Sequence, residues 1–254
     1  MKKMRLLLVV FVAVSVVVLG LSAMAMAKEK PIKIGFMGNL SSAATLSSQA
    51  AAKLAVSEMN EAGGILGRPV ELLFEDTKGE IPKSIEIYKK LVMYNKVDVV
   101  IVAEKVEMGV AGMEIGAELF REFPHIMFST IGSGDAIWHN VRDNYEKYKF
   151  GFQTYYYIST NYLNIIGKVI NPDFYKNIIG TNKVAIIYED MEWTKPLRKG
   201  LKGVSEGLRA EYEKKGLEVV YEATLSLDQK VFSTVFEEIA ASGAGIMDCV
   251  VGYI

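Results

Sequence analysis

Val97-Asp98-Val99-Val100-Ile101-Val102 is a short run of β-branched residues interrupted by a single charge. A run of that length and composition predicts a strand covered on both faces of a parallel sheet. Helical spacing flanks it on both sides. Upstream, Pro82 sits where a first helical turn tolerates proline, and Ile85, Tyr88, Leu91 and Val92 form a stripe. Downstream, Met108, Ala111, Ile115 and Leu119 mark a second helix, and Ile126-Met127-Phe128 a further strand. Farther back lie strands at Val70 to Phe74 and Ile32 to Phe36. Between those two strands a helix from Ser47 to Ala62 turns Ala51, Leu54, Ala55, Met59 and Ala62 to one side and is stopped by Gly63-Gly64. Four strands separated by helices predict βαβ units and a parallel sheet.

From Ser129 to about Thr181 this rhythm breaks. A Gly-containing polar loop is followed by the charged segment Asp143 to Lys149, the aromatic group Phe150, Phe152, Tyr155, Tyr156 and Tyr157, and a helix near Tyr162 to Ile170. Alternation then resumes. Strands are expected at Val184 to Tyr188, Leu217 to Tyr221 and Cys249 to Val251. One long helix is expected through Leu197, Leu201, Val204, Leu208 and Tyr212, and another through Phe232, Val235, Phe236, Ile239 and Ala240. The break predicts two α/β lobes, residues 28–150 and 151–254, with the crossing near Phe150 to Tyr157. Because the last strand has no helix after it, the second lobe is expected to be incomplete, with an uncovered face around Ile246 to Val251.

The chain has 254 residues, a formal net charge of −1 and a 50% hydrophobic content. That balance carries no basic footprint for nucleic acid and does not suit a disordered chain. Lys2, Lys3 and Arg5 precede an uncharged stretch from Leu6 to Ala27 that closes on Ala25-Met26-Ala27. Residues 1–27 therefore read as an export signal, with an uncleaved anchor as the alternative, since a run of this length reaches across a bilayer about 30 Å thick. The lone cysteine, Cys249, excludes an internal disulfide; its apolar neighbours predict core.

Ligands of parallel α/β sheets gather beyond the carboxyl ends of the strands. The loop after the first strand, Gly38-Asn39-Leu40-Ser41-Ser42, has neither a dinucleotide nor a P-loop glycine pattern, and no cofactor is expected. The loop after the fourth, Ser129-Thr130-Ile131-Gly132-Ser133-Gly134, offers hydroxyls and glycines to a small anion, or is an ordinary polar turn. His125 opens a strand and His139 falls in the long loop; no nucleophile motif or metal-ligand spacing surrounds either. Glu75-Asp76 and Glu189-Asp190 at strand ends read as acid/base groups or, more simply, as solvated strand ends.

The segment Ile32-Lys33-Ile34-Gly35-Phe36-Met37-Gly38-Asn39-Leu40-Ser41 resembles the K-I-G-x-x-x-P-L-[ST]-G opening of the branched-chain amino-acid-type periplasmic binding proteins. Asn60-Glu61-Ala62-Gly63-Gly64-Ile65-Leu66-Gly67-Arg68-Pro69-Val70-Glu71-Leu72 is similar to that family's most distinctive segment. Phe74-Glu75-Asp76-Thr77, Val184 to Asp190 and Val250-Val251-Gly252-Tyr253 follow in the expected order. The resemblance runs from Ile32 to Ile254. It implies a type-I periplasmic-binding fold, two doubly wound parallel-sheet lobes closing on a ligand about a hinge, and delivery to the permease subunits of an ABC importer without chemistry.

By the same resemblance, Gly132 and Ser133 stand at ligand-carboxylate positions. Trp193, in Glu192-Trp193-Thr194, takes the place of an aromatic that packs on the ligand. The loop after the third strand departs from the family's G-P/H-x-x-S pattern, reading Ala103-Glu104-Lys105-Val106-Glu107. A ligand carboxylate beside Glu104 and Glu107 is repelled unless Lys105 intervenes. The acid that would hold a ligand amine is expected near or beyond Ile254. The first reading is therefore a receptor for a small polar solute such as an amino acid, an amide or a similar carboxylate. A ligand sensor of the same fold and an α/β enzyme are the alternatives.

Overall fold

A computed structural model describes residues 30–130, 134–154, 158–203 and 205–252. Five parallel strands form the first sheet: β1 (Ile32–Gly38), β2 (Val70–Asp76), β3 (Val99–Val102), β4 (Ile126–Ser129) and β5 (Gly151–Gln153), in the order β2-β1-β3-β4-β5. Three more form the second: β6 (Lys183–Glu189), β7 (Glu218–Leu225) and β8 (Ile246–Val250), in the order β7-β6-β8. All pairings are parallel, and β1 registers Phe36 against Phe74 on one side and Ile101 on the other. The aromatic segment expected to cross between lobes places its residues 151–153 in the first sheet as β5. Tyr155, Tyr156 and Tyr157 lie outside the described residues, as do the expected export signal, Ile131, Gly132 and Ser133.

The longer helices are α1 (Ala43–Glu61), α2 (Ile81–Lys89, continued by a wide turn to Tyr94), α3 (Val106–Leu119), α4 (Asp135–Asp143), α5 (Ile158–Val169), α6 (Leu208–Lys214) and α7 (Ser233–Ser242). No helix among the described residues is long and apolar enough to cross a membrane.

Handedness decides how these helices cover the strands. The order β2-β1-β3-β4-β5 reverses once. With right-handed crossovers, only the β1-to-β2 connection lays a helix on the back face; the later connections lay theirs on the front. The front face accordingly holds the main core, with Met37, Val100, Val102 and Met127 from the strands under Tyr88, Leu91 and Met113 from α2 and α3. On the back face α1 reaches only the β1–β2 side. Thr45 is its one buried residue, and Leu46 and Leu54 are exposed. Beyond β1, Val99 and Ile101 are half-buried, and Ile126 and Phe152 are exposed at 42% and 48%. The β3 run, expected to be covered on both faces, is fully covered on one.

The inward face of α3 also differs from expectation. Gly109, Gly112, Met113 and Gly116 are buried, whereas Ala111, Ile115 and Leu119 lie at the margin. Glycine is needed because the helix is pressed against large side chains: a Cβ on Gly116 would sit 2.4 Å from a Phe150 ring carbon and 2.6 Å from the Tyr88 hydroxyl. The single long helix expected from Leu197 to Tyr212 is instead a short helix, Lys195–Lys199, a tight turn bridging Leu201 and Ser205, and α6. Gly200, Gly203 and Gly207 adopt φ of +79°, +78° and +105°, values that interrupt any helix.

In the second sheet the order reverses at β6, so the two faces are covered separately. Leu163 of α5, Leu208 and Tyr212 of α6, and Leu197 pack on one face with Val184, Ile186 and Tyr188; Val235 and Ile239 of α7 pack on the other with Ala185 and Ile187. The edge strand β8 turns Ile246 and Val250 toward the first of these clusters. Its alternate residues, Met247 and Cys249, are exposed on the α7 side. Cys249 is thus a surface thiol, because the face it shares is covered by α7 only as far as β6 and β7. Burial beside Asp248 still raises its pKa.

Candidate functional site

Parallel pairing puts the carboxyl ends of β1 to β4 along one rim of the first sheet, and the helices that follow start there with their N-termini toward the rim. At β2, Asp76 Oδ1 accepts the N–H groups of Lys78 at 3.0 Å and Leu40 at 3.1 Å, and these bonds hold its carboxyl below the usual range. At β3, Glu104 is buried at 4% exposure. Its Oε2 accepts the Thr77 hydroxyl at 2.8 Å and its Oε1 the Lys105 N–H at 3.3 Å. Glu104 is therefore tied back into its own lobe, and half-buried Lys105 occupies the N-cap of α3.

Glu107 lies in the first turn of α3, and Asp135 is the first residue of α4. Both cross to the other lobe. Glu107 Oε1 accepts the Glu192 N–H at 3.0 Å, and Asp135 Oδ1 accepts the Thr160 hydroxyl at 3.1 Å as well as the Trp138 indole N–H at 3.4 Å. Anions in these first turns are favoured by the unpaired N–H groups of the helix starts.

The facing wall is built at the end of β6. Glu189 is fully buried, accepting the Trp193 indole N–H at 2.5 Å on Oε1 and the Gly252 N–H at 3.0 Å on Oε2. The Thr194 hydroxyl donates to the Glu189 carbonyl, and the Ser159 hydroxyl to the Trp193 carbonyl, at 2.7 Å each. These bonds fix the turn Glu192–Thr194. Trp193 is half-buried, with part of its ring on the second lobe's core. Glu189 is thus a buried acceptor inside a hydrogen-bonded wall, and Asp190 is ion-paired with Arg198 at 3.1 Å.

The two histidines differ in their relation to this junction: His139 lies near enough to Asp135 to interact with it electrostatically, and His125 lies in the first lobe's core. His125 is buried under the first sheet, 2.8 Å from the Tyr88 hydroxyl and 2.6 Å from the Phe123 carbonyl, and burial lowers its pKa. His139 lies on α4 rather than in a loop, its ring tilted 41° to that of Trp138 at 4.0 Å between centroids. Among the described residues no three His, Cys, Asp or Glu side chains are grouped to hold a metal ion.

Of the residues singled out in the sequence, Glu104, Lys105 and Trp193 fall on the facing rims of the two lobes; Gly132 and Ser133 lie outside the described residues. Sequence reasoning overlooked Glu107 as a cross-lobe link, as well as Asp135 and Thr160. The available signal for Asp135 was its position just after Gly134 and just before Ile137 and Val141, the acidic start of an amphipathic helix.

The family model described as periplasmic binding protein matches residues 31–253. No curated protein sequence matches the chain. Solved structures share its fold. A putative branched-chain amino acid ABC transporter protein from Silicibacter pomeroyi is 20% identical with a TM-score of 0.65, covering 87% of this chain and 54% of its own. An ABC transporter solute-binding protein from R. palustris, in complex with 4-hydroxybenzoate, is 20% identical with a TM-score of 0.66 and the same coverage. A branched-chain amino acid transporter substrate-binding protein from Streptococcus pneumoniae, in complex with isoleucine, is 21% identical with a TM-score of 0.59, covering 83% and 54%. The chain therefore spans about half the length of the solved proteins it matches.

Proposed function

Since the chain belongs to the periplasmic binding protein family, we propose that it acts as an exported receptor that binds a small polar solute between two α/β lobes and hands it, unaltered, to the permease subunits of an ATP-driven importer. Strands β1 to β5 belong to one lobe and β6 to β8 to the other. The observation that supports this most directly is the cross-lobe pair Glu107–Glu192 and Asp135–Thr160. Two α/β units meet with strand ends and helix starts facing one another, the place where such sheets take ligands. Contacts made by both walls at once couple binding to closure.

In this reading Gly132 and Ser133 on the strand-four loop and Trp193 on the opposite turn touch the solute, while Glu104 and Lys105 shape the strand-three rim. Solutes of amino-acid size and polarity, including amides and small carboxylates, fit that wall chemistry. Residues 1–27 direct export, and the membrane is met through the transporter or an uncleaved leader. Calorimetry with amino acids and hydroxybenzoates tests the receptor reading. Stoichiometric binding with the solute recovered unchanged supports it, and turnover of the solute sinks it. Ser133→Ala and Trp193→Ala each weaken binding by about 1–3 kcal/mol if the site is placed correctly.

A further inference from the structure

Glu189 and Asp190 are adjacent acids at the end of β6 with opposite surroundings. Asp190 is exposed and pairs with Arg198. Glu189 is fully buried and spans two N–H groups from different parts of the chain, the Trp193 indole at 2.5 Å and the Gly252 backbone at 3.0 Å. A carboxyl group offers an acceptor on each oxygen, so one side chain answers both donors. Stability alone does not call for an acid here. Burying a carboxyl is costly, and an apolar side chain of similar volume often serves a core as well or better. What the acid adds is direction. An indole has a single donor, and holding that donor fixes the rotation of the ring.

The rest of the turn is pinned through its backbone. The buried Thr194 hydroxyl donates to the carbonyls of Glu189 at 2.7 Å and Met191 at 2.9 Å, and the buried Ser159 hydroxyl to the carbonyl of Trp193 at 2.7 Å. Those bonds place the turn without orienting the ring; the bond from the ring N–H to Glu189 orients it. Gly252 closes the arrangement from the end of β8. A Cβ there would meet Trp193 Cζ2 at 3.8 Å and Glu189 Oε1 at 3.6 Å, so the backbone beyond β8 runs along the ring. The turn Glu192–Thr194 lies beside α3 and α4 of the first lobe, and its Glu192 N–H donates to Glu107 there at 3.0 Å. The oriented ring therefore stands where the two lobes meet.

We propose that Glu189 is a positioning residue for solute recognition: by holding the Trp193 N–H it sets the ring plane against which the solute packs. This rests on the receptor reading above, in which Trp193 touches the solute. Glu189 acts through the ring and does not itself meet the solute.

The test uses the full chain carrying Trp138→Phe, which leaves Trp193 as the sole tryptophan. Glu189→Leu removes both acceptors, and Glu189→Gln keeps one for the indole. Well below the melting temperature, Glu189→Leu moves the Trp193 emission to longer wavelength and opens it to acrylamide quenching, while Glu189→Gln stays near the parent. Amino acids and hydroxybenzoates are the binding probes, read by calorimetry. The best-bound probe loses about tenfold or more in affinity with Glu189→Leu and less than about threefold with Glu189→Gln. Glu189→Leu combined with Trp193→Ala loses no more than Trp193→Ala alone, because the acid acts only through the ring. Losses that add in the double variant overturn the inference and leave the receptor reading standing, as does an unchanged Trp193 emission in folded Glu189→Leu protein. Glu189→Gln binding as poorly as Glu189→Leu also overturns it. If Glu189→Leu does not fold, Trp193→Phe removes the same bond from the ring side: binding weakened about tenfold supports the inference, and binding within about twofold of the parent overturns it. If no probe binds the parent protein, the receptor reading falls and this inference with it.

Discussion

The front and back of the first sheet are made of similar residues and have different fates. Met127 and Ile126 are adjacent in β4; one is wholly buried and the other is 42% exposed. Val100 and Ile101 differ in the same way in β3. Apolar content does not explain the contrast, since both faces are aliphatic and aromatic. The difference follows from the one reversal in strand order, which lays α2, α3 and α4 on the front and α1 alone on the back. The second sheet reverses in its middle and shares its cover more evenly, yet its edge strand β8 still leaves Met247 and Cys249 open. Topology, more than strand hydrophobicity, sets which apolar residues end up as core.

The largest test of that contrast compares neighbours. Met127→Ala should cost about 2–5 kcal/mol, because it opens a cavity under α3. Ile126→Ala should cost less than about 1 kcal/mol, because half of the side chain already meets solvent. Urea denaturation of the two variants measures the difference; equal losses would mean that the back face is covered as well as the front.

A smaller effect is expected in the second lobe at Asp248, whose carboxylate accepts the hydroxyls of Tyr162 and Tyr212 at 2.7 Å each and so joins β8 to α5 and α6. Asp248→Ala should destabilise by about 1–3 kcal/mol. Trp193 lies in this lobe and Trp138 in the other, so single-tryptophan versions followed by fluorescence show where the loss falls. An equal shift at Trp138 would show that the lobes unfold as one.

His125 sharpens the comparison from the front-face side. Burial lowers its pKa from 6.5. Its contribution is therefore fully present above the unfolded-state value and is lost as pH falls through the folded one, because the unfolded chain takes up the proton first. Stability measured at pH 7.5 and 5.5 should fall, and His125→Gln should reduce the fall; an unchanged pH dependence would disprove the assignment. The least effect on stability belongs to Cys249. It should react stoichiometrically with a thiol reagent in the native protein, with a midpoint in pH above that of an ordinary thiol, as its raised pKa requires. Labelling only after denaturation would place β8 in a covered environment.

Much of the architecture was legible in local pattern. The β-branched and alternating runs located β1 to β4, β6 and β7 and only the end of β8, and missed the short β5; Gly63-Gly64 placed the end of α1 within two residues. Misreadings arose where a local pattern had two physical solutions. Gly112 and Gly116, outside the stripe that the apolar spacing predicts, lie on the contact face of α3, because small residues admit close approach to Tyr88, Met127 and Phe150. Gly200, Gly203 and Gly207 hold positive φ and break the helix that the leucine spacing around them predicts.

By itself the sequence determined the α/β class, the division into two alternating stretches, the family resemblance and the acidic character of the strand-three loop, because each of these depends on residues close together in the chain. The tertiary structure alone decided which face of each strand is covered, that Glu104 is tied to Thr77, and that Glu107 and Asp135 meet donors from the other lobe. Those outcomes depend on pairings of residues 25 to 85 positions apart. Which side such a pairing falls on is set by crossover handedness and strand order, and neither is written in any local run of residues.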